Sequence, residues 1–204
     1  MKRSSIIISA IVLAAGESHR MGQNKLLLPW RGRTVIESIV TALRECPLSE
    51  IIVVLGHDAE RVRAVLERES VLFALNEHFA AGMLSSVQCG VRVTSPSADG
   101  LLIGLGDQPG LSARIVQPLL DAFAAQKGMI ILPAYRGRRG HPLLVGSAWR
   151  EEIFSLDPAI GLRQLLQRHA DEVFLVEIPD EAVLQDLDFP EDYRRALSKE
   201  RGRA

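Results

Sequence analysis

The sequence predicts an α/β fold built on a mostly parallel sheet. Short β-rich runs alternate with amphipathic stretches along the chain, the pattern of stacked βαβ units. One run, Gly100 to Leu105, is fully apolar and ends in Gly106-Asp107, as a buried central strand does when it opens into a site. With 204 residues, 47% of them hydrophobic and 24% charged, the chain can bury one substantial core. It reads as one domain over residues 1–204. The chain divides near residue 110 into a first half and a second half over about 111–197, with 198–204 a tail.

In chain order, Ile6 to Leu13 is the first strand. Lys2 and Arg3 before this apolar run imitate a secretory signal, but the run is shorter than the about 20 residues of a membrane span and leads directly into a Gly/Arg/Lys segment. Thr34 and Glu37 have capping-box spacing, and Ile36, Ile39, Val40 and Leu43 then share one helical face before Pro47. Ile51 to Leu55 is a second strand. A helix from about Ala59 to Arg68 turns Val62, Val65 and Leu66 inward, Val71 to Leu75 is a third strand, and Met83 to Val93 is helical. Ser112 caps a helix with Ile115, Val116, Leu119, Leu120 and Phe123 inside, and Met129 to Pro133 is a further strand. Arg136 to Gly140 is a basic turn before the short strand Pro142 to Val145, which predicts a hairpin. Gly161 to His169 is helical, Val173 to Ile178 a late strand, and Pro190 to Leu197 a terminal helix opened by proline; Lys199 to Ala204 reads as frayed.

Charge gives little direction, since 24 Lys and Arg face 25 Asp and Glu. No global field favours nucleic acid or a membrane, so any anion needs a local site. Cys46 and Cys89 stand apart in no metal or disulfide spacing, which fits a reducing, cytoplasmic setting. Cys89 reads as core filling. The histidines, among them His57, His78 and His169, lie scattered with no serine or cysteine nucleophile signature beside them.

The first strand opens into Leu13-Ala14-Ala15-Gly16, followed by Arg20 and Lys25. Small side chains let backbone N–H groups approach a ligand, and the two cations can neutralise phosphate. It lacks the GxGxxG of a dinucleotide turn, and Leu26 stands where a Walker A loop has Ser or Thr. An ordinary solvated surface loop is the competing reading. Asp107 ends the central strand either as a turn former or as a site carboxylate. In the later segment Asp186-Leu187-Asp188, alternation turns both carboxylates to one side. Two carboxylates from distant segments, converging, would suit a hard divalent cation on a triphosphate. Trp30 either packs under the first loop or touches substrate, and Arg136, Arg138 and Arg139 form either a solvated tip or an acceptor contact.

These motifs together, LAAG at Leu13 to Gly16, Arg20-Met21-Gly22 with Lys25, GDQP at Gly106 to Pro109, Gly140-His141-Pro142, and Asp188 before Pro190-Glu191-Asp192, resemble the nucleotidyltransferases of molybdenum cofactor maturation. The resemblance runs from about residue 8 to 197. It implies a Rossmann-like nucleotidyltransferase fold, a three-layer sandwich with a small hairpin extension. It further implies Leu13, Ala14, Ala15 and Gly16 around the nucleotide, Arg20 and Lys25 on the triphosphate, and Gly82, Ser85 and Ser86 toward the base. Asp107 and Asp188 would hold Mg2+, with Mn2+ able to substitute, so that Arg20, Lys25 and Asp107 carry the catalysis. Gly140, His141, Pro142 and Arg163 would face the acceptor. Phe189 departs from the family, which usually has threonine there.

Ala15, where a guanylyl branch tends to have glycine, resembles the cytidylyl branch. Its methyl group beside the base would crowd a purine, which favours CTP over GTP. The implied reaction moves CMP from CTP to molybdopterin and releases pyrophosphate, with a molybdoenzyme or its chaperone receiving the product. An acceptor phosphate with its second ionisation near pH 6 needs no general base. A guanylyltransferase, a transferase acting on a sugar phosphate, and a non-catalytic cofactor-delivery partner remain the alternative readings.

Overall fold

The structure is a computed structural model that describes residues 6–125 and 129–201. Lys2 and Arg3, and residues 202–204 of the expected tail, lie outside the described residues. Among the described residues ten strands occur: β1 (Ile8–Ala14), β2 (Pro29–Trp30), β3 (Arg33–Thr34), β4 (Glu50–Leu55), β5 (Leu72–Leu75), β6 (Gly100–Leu105), β7 (Ile130–Tyr135), β8 (Arg138–Arg139), β9 (Leu143–Gly146) and β10 (Val173–Glu177). The helices are α1 (Val35–Arg44), α2 (Ala59–Val65), α3 (Met83–Val93), α4 (Ala113–Ala125), α5 (Arg150–Phe154), α6 (Leu162–Arg168) and α7 (Pro190–Arg201).

The main sheet runs β10-β7-β9-β6-β1-β4-β5, with β8 on β7, and β2 and β3 form a separate ribbon. β4, β1 and β6 are parallel neighbours, as are β4 and β5, and β7 and β10. The arms of the predicted hairpin, β7 and β9, pair antiparallel, and the basic segment between them turns through Arg136 and Gly137 at φ 51° and 73° and adds the two-residue strand β8 to β7. β9 also has a second partner. β9 slots antiparallel between β6 and β7, so it joins the two parts of the sheet.

Both faces of the sheet are covered, which is why its strands read as near-continuous apolar runs. Along β1, Ala10, Val12 and Ala14 face a layer containing α1, α2 and α4, while Ile11 faces α3, α5 and α6. The fully buried Ile36, Ile39 and Leu43 from α1 meet Ile115 and Leu119 from α4 in the first layer. Each such side chain contributes about 1.5–3 kcal/mol by leaving water. The Thr34 hydroxyl accepts from the Glu37 amide at 3.3 Å, and the Glu37 carboxylate accepts from the Thr34 amide at 2.7 Å, closing the expected capping box.

Two boundaries differ in a way that matters. α2 stops at Val65, three residues before the expected Arg68, although Val62 and Leu66 are buried as read. α7 continues to Arg201 rather than fraying from Lys199. Lys199 pairs with Glu181, and Glu200 with Arg31, so ion pairs to two separate segments hold the last turn.

Candidate active site

Parallel β1, β4 and β6 bring the loops that follow them to one end of the sheet, where β1 has neighbours on both sides and the crevice of an open α/β sheet forms. The amide of Gly106 donates to the Leu13 carbonyl at 2.9 Å, and that of His57 to the Ala15 carbonyl at 3.1 Å, so the first loop is tied to both neighbours. Gly56 is required here: a Cβ would stand 2.7 Å from that of Ala15 and 2.8 Å from that of Phe79.

Beyond Gly16 the loop is built locally. Ser18 takes a left-handed conformation at φ 55° and starts the His19–Met21 turn, which buries Met21. The Asn24 side chain accepts from the Leu26 amide at 3.0 Å and donates to Asp58 at 3.1 Å. It thereby caps the Lys25–Leu27 turn and anchors it to the loop after β4. The amide of Lys25 is held by the Ser18 hydroxyl at 3.3 Å.

Asp107 follows β6, and its carbonyl accepts from the Leu187 amide at 3.1 Å. That bond brings the late segment to the site. Leu187 is buried at 1% exposure while Asp186 and Asp188 line the cleft, as the alternation predicted. A short Glu181–Leu184 turn, not the late strand itself, leads into them.

The Lys25 ammonium contacts the Asp107 carboxylate and lies 3.4 Å from Asp188 Oδ1. Arg20 Nη1 pairs with Asp188 Oδ2 at 2.9 Å. Burial, then the negative charge of Asp107, raises the pKa of the Asp186 carboxyl. Asp186, which lines the same cleft, is a further carboxylate at the site, beyond the pair that the resemblance implies for the metal. Its spacing from Asp188 was the signal.

The cleft has a volume of about 520 Å3. Its walls include Leu13, Ala14, Ala15, Gly16, Arg20, Lys25, Gly82, Ser86, Asp107 and Asp188, which the sequence had grouped, together with Phe79 and Met83, which it had not. Helix and loop residues such as these carry no motif, and only the packing of the Phe79–Ala81 turn against Gly56 brings them in. Ser85 is absent from the wall; its hydroxyl donates to the His78 and Gly82 carbonyls and accepts from Asn76.

Gly140, His141, Pro142 and Arg163 are also not among the lining residues. A Cβ at Gly140 would come within 2.2 Å of the Val183 carbonyl, to which the His141 amide donates at 2.9 Å. This tripeptide thus braces the segment that delivers Asp186 and Asp188. His141 lies near enough to feel both Asp186 and Asp107. Its Nδ1 is buried without a hydrogen-bond partner among the described residues, and burial lowers its pKa. Arg163 is exposed on α6. Trp30 is core, at 2% exposure, and the Arg136 guanidinium stacks over Tyr135. Cys89 is half-buried and turned toward the Leu75 carbonyl.

The donor set fits a hard cation. One ammonium reaches both Asp107 and Asp188, so a small divalent ion could meet both carboxylates in the same space. No three His, Cys, Asp or Glu side chains among the described residues are grouped to enclose a metal. No helix among the described residues is long and apolar enough to cross a membrane.

A family model for the MobA-like NTP transferase domain matches residues 10–173. The chain is 32% identical over 199 residues to nicotine blue oxidoreductase of Paenarthrobacter nicotinovorans, covering 93% of this chain and 96% of that one. It is 31% identical over 194 residues to molybdenum cofactor cytidylyltransferase of Escherichia coli strain K12, covering 94% and 96%. A solved Mycobacterium tuberculosis H37Rv protein, as its manganese complex, superposes with a TM-score of 0.79 at 26% identity, covering 94% of this chain and 98% of that one. With the model match spanning the cleft from the first loop through Asp107, the chain belongs to the MobA-like NTP transferase domain family and is a nucleotidyltransferase.

Proposed function

We propose that the protein transfers CMP from CTP to molybdopterin, releasing pyrophosphate and forming the cytosine dinucleotide form of the cofactor. The observation that carries this reading is the convergence of Lys25 and Arg20 with Asp107 and Asp188 at the open end of the Leu13–Gly16 loop. Two cations and two carboxylates in one cleft suit a triphosphate that arrives with a divalent ion. The likeness to a cytidylyltransferase supports the choice of base and acceptor.

Asp107 and Asp188 would hold Mg2+ or Mn2+; the mycobacterial relative was solved as a manganese complex. The ion would supply charge neutralisation to the phosphates. Leu13 to Gly16 offer backbone and small side chains to the nucleoside, with Gly82 and Ser86 across the cleft. Lys25 and Arg20, which lie on the Asp107 and Asp188 carboxylates, would supply their positive charge to the triphosphate. A phosphate oxygen of the acceptor attacks the α-phosphorus, the bond to the β-phosphate oxygen breaks, and Lys25 and Arg20 stabilise the charge on the departing pyrophosphate. The dianionic acceptor phosphate has no proton to give up.

The acceptor enters from the side where His141 approaches Asp107 and Asp186. Gly140 and Pro142 shape that end by fixing His141. Arg163, exposed on α6, is kept in this reading as an acceptor residue on the resemblance alone. The product would pass to a molybdoenzyme or its chaperone.

The test is pyrophosphate release with each of four nucleoside triphosphates, with and without molybdopterin, in Mg2+ or Mn2+. Release should require CTP and molybdopterin together, and Asp107→Asn should lower it by at least about 100-fold, the scale of losing metal-centred charge stabilisation. Faster release with GTP, or with a sugar phosphate in place of molybdopterin, would overturn the assignment.

A further inference from the structure

Arg20 is held by two consecutive residues from the far end of the chain. It belongs to the turn after β1, yet its guanidinium meets Asp188 and Phe189 just ahead of α7. Nη1 is 2.9 Å from Asp188 Oδ2, and Cζ is 5.1 Å from the centroid of the Phe189 ring. Both partners of the stack are open to water, the Arg20 side chain at 59% and Phe189 at 46% exposure. The ring belongs to neither buried cluster, and what Phe189 gives to the fold comes from its backbone, whose amide donates to Asp192 at 2.8 Å in the first turn of α7. Packing therefore does not account for a phenylalanine at this position.

We infer that Phe189 is a positioning residue for nucleotide binding: its ring is the shelf that keeps the Arg20 guanidinium at the mouth of the cleft. This rests on the reading of the cleft as a triphosphate site. An exposed arginine loses conformational freedom when a ligand orders it, and a partner that orders it beforehand removes part of that cost. The Asp188 carboxylate fixes one edge of the guanidinium, whereas the ring lies beneath its face. The two restraints differ in what happens on binding. Asp188 is the group a divalent ion would claim, so the ion pair weakens as the metal–nucleotide complex arrives. The stack does not compete with the metal. Phe189 then holds Arg20 in place while its N–H donors turn to the triphosphate.

The experiment compares Phe189→Leu, Phe189→Tyr, Arg20→Ala and the double variant Arg20→Ala/Phe189→Leu in calorimetric binding of CTP with Mg2+, beside steady-state kinetics and thermal midpoints. Phe189→Leu should weaken CTP binding and raise its KM roughly two- to fivefold, the range of an exposed cation–π contact, with the thermal midpoint unchanged. Phe189→Tyr, which keeps the ring, should match the parent. In the Arg20→Ala background the leucine should have no further effect, because the shelf then has nothing to hold. The inference fails if Arg20→Ala weakens CTP binding but Phe189→Leu does not, or if the leucine weakens binding equally with and without Arg20. If Arg20→Ala itself leaves CTP binding unchanged, the triphosphate reading of this end of the cleft falls, and the role of Phe189 falls with it.

Discussion

The ammonium of Lys25 sits against the carboxylate of Asp107, at the place where a cation could also meet Asp188. A side-chain cation thus occupies the ground that a metal ion would need. Their like charges exclude one another, so bare metal should bind weakly and the metal–nucleotide complex well.

Lys25→Met should therefore change two affinities in opposite directions. Mn2+ alone should bind at least about tenfold more tightly, a modest part of the roughly 4 kcal/mol between unit charges at 4 Å in a partly screened site. CTP should bind less tightly, because the compact cation that meets its phosphates is gone. Electron paramagnetic resonance of free Mn2+, with and without CTP, reads both. Unchanged affinity for Mn2+ alone would show that Lys25 and the metal do not share a site.

Gly56→Ala should damage the cleft from behind. The added methyl would stand 2.7 Å from Ala15 Cβ and 2.8 Å from Phe79 Cβ, and both residues form the cleft wall. Overpacking of this kind costs about 1–3 kcal/mol, visible as a lower urea midpoint, and the displaced loop should raise the KM for CTP about tenfold. Full CTP affinity in a destabilised Gly56→Ala protein would separate loop position from binding.

The same contact bears on Ala15, a residue only 5% exposed that lies against Gly56 in the cleft wall. Ala15→Gly should raise use of GTP relative to CTP by less than about tenfold, near the low end of what a methylene contact discriminates. The ratio of kcat/KM for the two nucleotides is the measurement. No change at all would move base selection to the Gly82 and Ser86 side of the cleft.

His141 gives a pH dependence whose sign can be worked out. Burial lowers its pKa from the ordinary 6.5, so the folded protein binds fewer protons there than the unfolded chain. Its contribution to stability is full above about pH 6.5 and is lost as the pH falls toward the folded value. Asp186 has the opposite sign, since its raised pKa favours the folded state most below its ordinary 3.8. His141→Gln, compared with the parent by urea unfolding at pH 7.5 and 5.5, should lose less stability on acidification. Parallel losses in the two proteins would mean that His141 protonates equally in both states.

Local pattern made much of this legible in the sequence. The capping box at Thr34 and Glu37, the extent of α3, the apolar β6 ending at Asp107, and the opposed faces of Asp186 and Leu187 all depend on residues a few positions apart. Periodicity and side-chain chemistry act over that range, so they could be read in order along the chain. The pairing of β9 with β6 on its other side could not, because the second partner of a short apolar strand is chosen by the whole sheet.

The site divides in the same way. From the residues themselves came the cations, the carboxylates and the small-residue turn, since each carries its chemistry wherever the fold puts it. Tertiary structure alone decided which of them meet. Lys25 contacts Asp107 and approaches Asp188, across 163 positions of sequence, because the Leu187 amide bonds to the Asp107 carbonyl; Gly140–His141 braces Val183 instead of lining the cleft, and Phe189 lies under Arg20. Such contacts join segments whose separation in sequence sets no distance, and only burial of Leu187 and packing of the sheet fix it.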